Sequence, residues 1–164
     1  MEIVKYPDKM LRLVSEKIDK VDGEIRSLAR EMIRVMRKYN GLGLAAIQIG
    51  VPKRLIVVNA DLIKRGSGII VLANPKVVEG SGESFEEEGC LSIPGFYEKV
   101  KRYDEVLVEG LNYDGMIVRL RSDGYIARAF QHEIDHINGI LFIDRLPFFK
   151  KLKFSFKYAL GKIK

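Results

Sequence analysis

The sequence predicts an α+β fold: short antiparallel β-sheets packed around a buried central helix, with an N-terminal helix and a basic C-terminal tail. Three observations lead there. Two stretches with helical apolar spacing bracket a series of short β-type runs. Those runs are joined at hairpin distances, not by the dozen or more residues that a parallel crossover needs. The second helical stretch is apolar around most of its circumference, which marks a helix with protein on most sides.

Asp22 opens the first helix, and Ile25, Leu28, Ala29, Met32, Ile33 and Met36 recur on one face of it. Asn40-Gly41 ends it as a left-handed cap would. Leu55-Ile56-Val57-Val58 and Ile69-Ile70-Val71-Leu72 are strands, separated by a turn at Gly66-Ser67-Gly68. Val106-Leu107-Val108 and Met116-Ile117-Val118 flank Asp114-Gly115, a strong hairpin signal. The second helix runs from about Asp123 to Asn138 and is stopped by Gly139. The chain thus divides into a body, residues 1–147, and a tail, residues 148–164. The tail is either part of the same single domain or a docking element. At helical spacing Phe149, Leu152, Phe156 and Ile163 form a stripe; at strand spacing Leu152, Phe154, Phe156 and Tyr158 alternate with lysine or serine.

Composition narrows the class. The 164 residues are 47% apolar and 30% charged, an ordinary globular balance with material for one sizeable core. No apolar run approaches the ~20 residues that span a bilayer. The start lacks an apolar signal core, so the expectation is a cytoplasmic protein without a membrane partner. The net charge is +6. Six lysines lie in residues 150–164 without an acid; removing them from the 28 basic residues leaves 22 to balance 22 acids. The body is formally neutral, and only the tail has an electrostatic attraction to nucleic acid.

The two histidines of the chain both stand in His132-Glu133-Ile134-Asp135-His136. Residues four apart on a helix share a face, so both imidazoles reach one ion, and Glu133 leans over the same ion without ligating it. A catalytic ion of this kind takes three protein ligands and keeps one position open. Cys90, the lone cysteine, in Glu88-Gly89-Cys90-Leu91-Ser92, is either the third ligand or a small buried core residue. A third segment, Gly41-Leu42-Gly43-Leu44-Ala45-Ala46-Ile47-Gln48, lets backbone approach closely. Gln48 there is either a donor to a developing oxyanion or part of a tight loop after a helix cap.

Taken together, these segments resemble the peptide deformylase family. Gly41 to Gln48 matches its first motif, Glu88 to Ser92 its second, and His132 to His136 with Gly139 its third, in family order. Tyr6-Pro7-Asp8 and Leu11-Arg12 extend the match toward the start. The resemblance implies that Cys90, His132 and His136 bind one divalent metal ion. Fe²⁺ is the physiological expectation, with Zn²⁺, Ni²⁺ or Co²⁺ as substitutes. It implies that Glu133 is general base and acid, and that Gln48 and the Leu91 N–H polarise a formyl oxygen. Leu42, Gly43, Tyr125 and Ala129 would form the pocket for a methionine side chain, and Glu88 would pair with Arg102 to brace the cysteine loop. The activity implied is removal of the formyl group from formyl-methionyl nascent peptides, releasing formate. A substrate presented at the ribosome makes ribosomal RNA the partner expected for the lysine-rich tail.

The chain departs from the family pattern at Ile47, where many members have proline, and at Tyr103, where proline is common. Tyr97 stands where well-studied bacterial members carry an arginine near the substrate backbone, so the hold on the peptide beyond methionine is expected to differ. A zinc endopeptidase would share the helix motif, but it usually takes a third His or Glu from downstream, and none follows His136. A nucleic-acid module with a structural ion would want four closed ligands.

Overall fold

The computed structural model describes residues 1–163. Helix α1 spans Gly23–Lys38. The Asp22 side chain accepts from the Glu24 and Ile25 N–H groups, both at 3.0 Å, and so caps its first turn. Asn40 takes a left-handed conformation (φ 52°), and the Gly41 N–H donates to the Met36 carbonyl, closing the other end.

Strands β1 (Gly43–Ala45), β2 (Leu55–Asn59), β3 (Ile69–Ser81), β6 (Glu105–Leu111) and β7 (Ile117–Asp123) form one antiparallel sheet in the order β1-β2-β3-β6-β7. Strands β4 (Ser84–Cys90) and β5 (Ile93–Arg102) form a separate two-stranded ribbon. Helix α2 spans Gly124–Ile137 and α3 spans Phe148–Ala159. None of these helices is long and apolar enough to cross a membrane.

Alternation along β2 builds the centre. Leu55 and Val57 pack with Met32 and Met36 of α1, while Ile56 and Val58 pack with Ala127, Phe130 and Ile134 of α2. A strand covered on both faces must be apolar throughout, which is why Leu55 to Val58 carries no alternation. Every residue from Ala127 to Ile137 is buried, so α2 is a central helix. Its buried set includes Arg128, Gln131 and Asp135, each hydrogen-bonded. A third cluster lies under the ribbon, where Phe96, Val100, Phe142, Leu146 and Phe154 meet Cys90.

Three elements differ from the sequence reading. The β6–β7 loop spans residues 112–116, because the Asn112 side chain accepts from the Asp114 and Met116 N–H groups; Met116 is therefore a turn residue. Strand β3 runs well past Leu72, through register shifts near Pro75 and Val78 that let it bend. The ribbon has no apolar alternation in Glu86-Glu87-Glu88 to announce it; it pairs charge across strands instead, Glu87 opposite Lys99. The tail is helical as α3, and it buries Phe154 against Tyr6 and Phe96 at ring separations of 5.4 and 5.0 Å.

Candidate metal centre

Helix α2 presents His132, Glu133 and His136 toward the end of β4, where Cys90 stands at the turn into β5. The Cys90 Sγ and His136 Nε2 are 3.2 Å apart, and so are the Nε2 atoms of His136 and His132. One donor atom from each of the three residues lies within 4.8 Å of the other two. His136, 46 positions away from the cysteine, becomes its neighbour only because the ribbon folds back over α2.

The residues behind these donors set their orientation. The His132 Nδ1 lies 2.7 Å from Glu88 Oε1. Burial works against the charge on Glu88, yet hydrogen bonds from Arg102 and His132 hold its carboxyl far below the usual range. A charged Glu88 accepts the Nδ1–H, which orients the His132 ring so that Nε2 is the nitrogen turned to the other donors. Glu88 also accepts from Arg102 Nε at 2.9 Å, Arg102 Nη2 at 2.8 Å and Arg128 Nη1 at 2.7 Å. Arg102 reaches Asp135 as well, at 2.6 Å, so ribbon and helix are joined by one buried ionic network.

Gln48 approaches from the turn after β1. Its Oε1 accepts from the Ala45 N–H at 2.8 Å, which turns its amide N–H₂ toward Cys90 Sγ (3.5 Å) and Ser92 Oγ (3.2 Å). Glu133 is buried; its Oε2 has no hydrogen-bond partner among the described residues, and burial pushes its carboxyl up to about 7. Burial also pushes both imidazoles down. At His132 the thiol of Cys90 and the carboxylates of Glu88 and Glu133 override that and hold it well above its ordinary value. His136 meets the charges of His132 and Arg102 in addition and is held well below. A site that attracts positive charge at one imidazole and keeps a bare lone pair at the other suits a cation between them. The donor set of one thiolate and two imidazoles matches Zn²⁺-like and Fe²⁺-like ions, and it leaves a coordination position for a reacting molecule.

A cavity of about 440 Å³ opens over this group. Its walls include Leu42, Gly43, Gln48, Cys90, Leu91, Tyr125, Ala129, His132 and Glu133, while His136 is wholly buried beneath. A larger cleft, about 870 Å³, lies on the opposite face of α2 around Asn138 and Arg145, away from the three donors. The sequence reading passed over Arg128. Its signal was a long cation inside an otherwise apolar helix, which has to find a buried partner. It also passed over Lys5 and Tyr39, which reach the cavity mouth from segments without chemistry of their own.

Comparison with known proteins agrees with this geometry. A family described as polypeptide deformylase matches residues 1–152. A peptide deformylase from Thermodesulfovibrio yellowstonii is 44% identical over 162 residues, covering 99% of this chain and 98% of that protein. One from Halothermothrix orenii is 47% identical, over 89% of this chain and 93% of its own length. Among solved structures, a peptide deformylase from Ehrlichia chaffeensis in complex with actinonin has a TM-score of 0.90 at 40% identity, covering 99% of this chain and 96% of that one. One from Legionella pneumophila has a TM-score of 0.89 at 38% identity, over 98% and 94% of the two chains. On sequence over nearly its whole length and on fold, the chain belongs to the polypeptide deformylase family.

Proposed function

We propose that the protein is a metal-dependent hydrolase that removes the formyl group from the N-terminal formyl-methionine of nascent polypeptides. The observation that carries this reading is the Cys90–His132–His136 cluster beside a buried Glu133, whose Oε2 has no hydrogen-bond partner among the described residues, at the floor of an open cavity. Cys90, His132 and His136 hold one divalent ion, Fe²⁺ in the cell, with Zn²⁺, Ni²⁺ or Co²⁺ able to replace it. When bound, such an ion supplies Lewis acidity and a water of lowered pKa.

The chain's own residues do the rest. Glu133 takes a proton from the attacking water; the water oxygen bonds to the formyl carbon, and the C–N bond breaks. Glu133 returns the proton to the leaving amine, so formate and a free N-terminal methionine result. The Gln48 amide, held by its bond to Ala45, and the Leu91 N–H donate to the formyl oxygen as it gains charge. Leu42, Gly43, Tyr125 and Ala129 receive the methionine side chain. The protein works in the cytoplasm as a single domain. Its tail packs on the body and presents its outer face to ribosomal RNA, where formylated chains emerge.

The test is formate release from formyl-Met-Ala-Ser by anaerobically prepared protein, alongside elemental analysis. Glu133→Gln should keep the metal and lose at least ~10²-fold in turnover. Loss of metal in that variant, or near-native turnover, rejects the role given to Glu133.

A further inference from the structure

The mouth of the cavity carries a cation that the proposed reaction does not use. The backbone on either side of Lys5 is pinned to the site: the Val4 N–H donates to the Gln48 carbonyl and the Tyr6 N–H to the Ser92 carbonyl, each at 2.8 Å. The side chain is positioned in turn. Its Nζ donates to the Leu91 carbonyl at 2.6 Å and stands 5.8 Å from the centre of the Tyr39 ring. Lys38 stands over the same ring, 5.2 Å away.

Lys53, Lys76, Lys101, Lys150 and Lys153 each meet a carboxylate, whereas none lies within ion-pair distance of Lys5 among the described residues. An ammonium has three donors, and one of these is used. The other charges around the cavity are committed or distant in role. Arg128 and Glu88 saturate one another in the wall, Glu133 lies buried at the floor, and Glu87 is exposed on β4. Gln48, Cys90 and Glu133 take the formyl end, and Leu42, Gly43, Tyr125 and Ala129 take methionine. Of the lining left for the following residues, the side chains with charge or a ring are Lys5, Tyr39, Tyr97 and Glu87.

We propose that Lys5 is a specificity-determining residue that favours formylated peptides with an acidic side chain in the two positions after methionine. This rests on the proposed function and names the substrates that the same site prefers. Tyr97 has no charge to offer the peptide, and of the two lysines over the Tyr39 ring Lys5 is the one that lines the cavity. A fixed ammonium, already oriented by Leu91 and Tyr39, spends little entropy in meeting a carboxylate, so its effect falls at the upper end for exposed pairs, about three- to fivefold.

The test uses metal-loaded protein and amidated peptides, formyl-Met-Asp-Ala, formyl-Met-Ala-Asp, formyl-Met-Ala-Ala and formyl-Met-Lys-Ala. An aspartate peptide should show a KM about three- to fivefold lower than the alanine peptide at low salt, and the gap should close in 1 M salt. Lys5→Met should abolish the preference, Lys5→Arg should retain it, and Lys5→Glu should turn it toward the lysine peptide. Binding of the same peptides to the Glu133→Gln protein, by calorimetry, reads the preference without turnover. Formate release from none of the peptides rejects the proposed hydrolysis, and the binding series still decides on Lys5. Equal affinity for the aspartate and alanine peptides, or an undiminished preference in Lys5→Met, overturns the assignment.

Discussion

Gly43 shows how one residue's size sets the position of the Glu133 carboxylate. A Cβ built there would lie 2.5 Å from Glu133 Oε1 and 2.8 Å from its Cγ. The backbone cannot give way, because Gly43 pairs with Val58 in the sheet, so Glu133 would have to move. Misplacement of a reacting group by about 1 Å costs up to ~10²-fold in rate. Gly43→Ala should therefore fold and retain metal but lose at least ~10-fold in kcat/KM for formyl-Met-Ala-Ser. Native kcat/KM in that variant would show that Glu133 has room to spare. Gly89 has a similar relation to Tyr97, whose ring occupies the space a side chain would need, 2.4 Å from the built Cβ.

At the scale of elements, the ribbon is held to α2 by arginines. Arg128 donates to Glu88 and to the Val100 carbonyl, and it also reaches the Ser84 carbonyl and hydroxyl. Removing one partner of a buried ion pair costs about 3–5 kcal/mol, and Arg102 still neutralises Glu88, so Arg128→Met should cost about 3 kcal/mol. Urea unfolding followed by circular dichroism measures it; a change below about 1 kcal/mol would mean that the ribbon docks by its apolar face alone. Helix α3 is held differently. Lys153 and Lys150 donate to Glu98 of β5 at 2.9 and 3.1 Å, and the Lys153 bond foremost lowers the Glu98 carboxyl to about 2. The folded pKa is depressed, so this contribution is present above the unfolded value of about 4.3 and is lost as pH falls toward 2. Glu98→Gln should thus lower the melting temperature at pH 7 and make progressively less difference between pH ~4.5 and 2. A difference that is constant across that range would assign the effect to packing.

At the scale of the whole molecule, the tail has two different faces. Its inner face belongs to the third core cluster through Phe154 and Ile163, and Tyr158 packs edge-on against Tyr6 at 5.1 Å. Burying a side chain the size of Phe154 stabilises by about 1.5–3 kcal/mol, so cutting the chain after Pro147 would uncover Tyr6 and Phe96 and confuse docking with folding. The outer face is the informative one. Phe149 is 82% exposed and Phe156 66%, with exposed Lys151 and Lys162 nearby on the same tail. Lys151→Glu with Lys162→Glu should leave formate release from short peptides unchanged and weaken co-sedimentation with ribosomes. The slope of log affinity against log salt should fall by about 1–2. Unaltered sedimentation would remove the tail lysines from ribosome binding.

What the sequence determines by itself is local. The 3.6-residue period places His132, Glu133 and His136 on one helix face, Asp22 and Asn40 bound α1, and the unbroken apolar run of β2 announces burial on both sides, because each depends on neighbours within a few positions. The tertiary structure decides what depends on distant segments. The sulfur of Cys90 comes beside His136 only through the ribbon, whose Glu86-Glu87-Glu88 has no apolar alternation to announce it. The Gln48 amide faces that sulfur only because the Ala45 N–H holds its Oε1. The tail was open between helix and strand, since its lysines and aromatics satisfy both periods; the face that Tyr6 and Phe96 offer to Phe154 accompanies the helix. Lys5 is an ordinary exposed lysine in the sequence. Only the hydrogen bonds that fasten its neighbours to Gln48 and Ser92 set it at the mouth of the site, because a side chain's role follows from where the backbone is pinned.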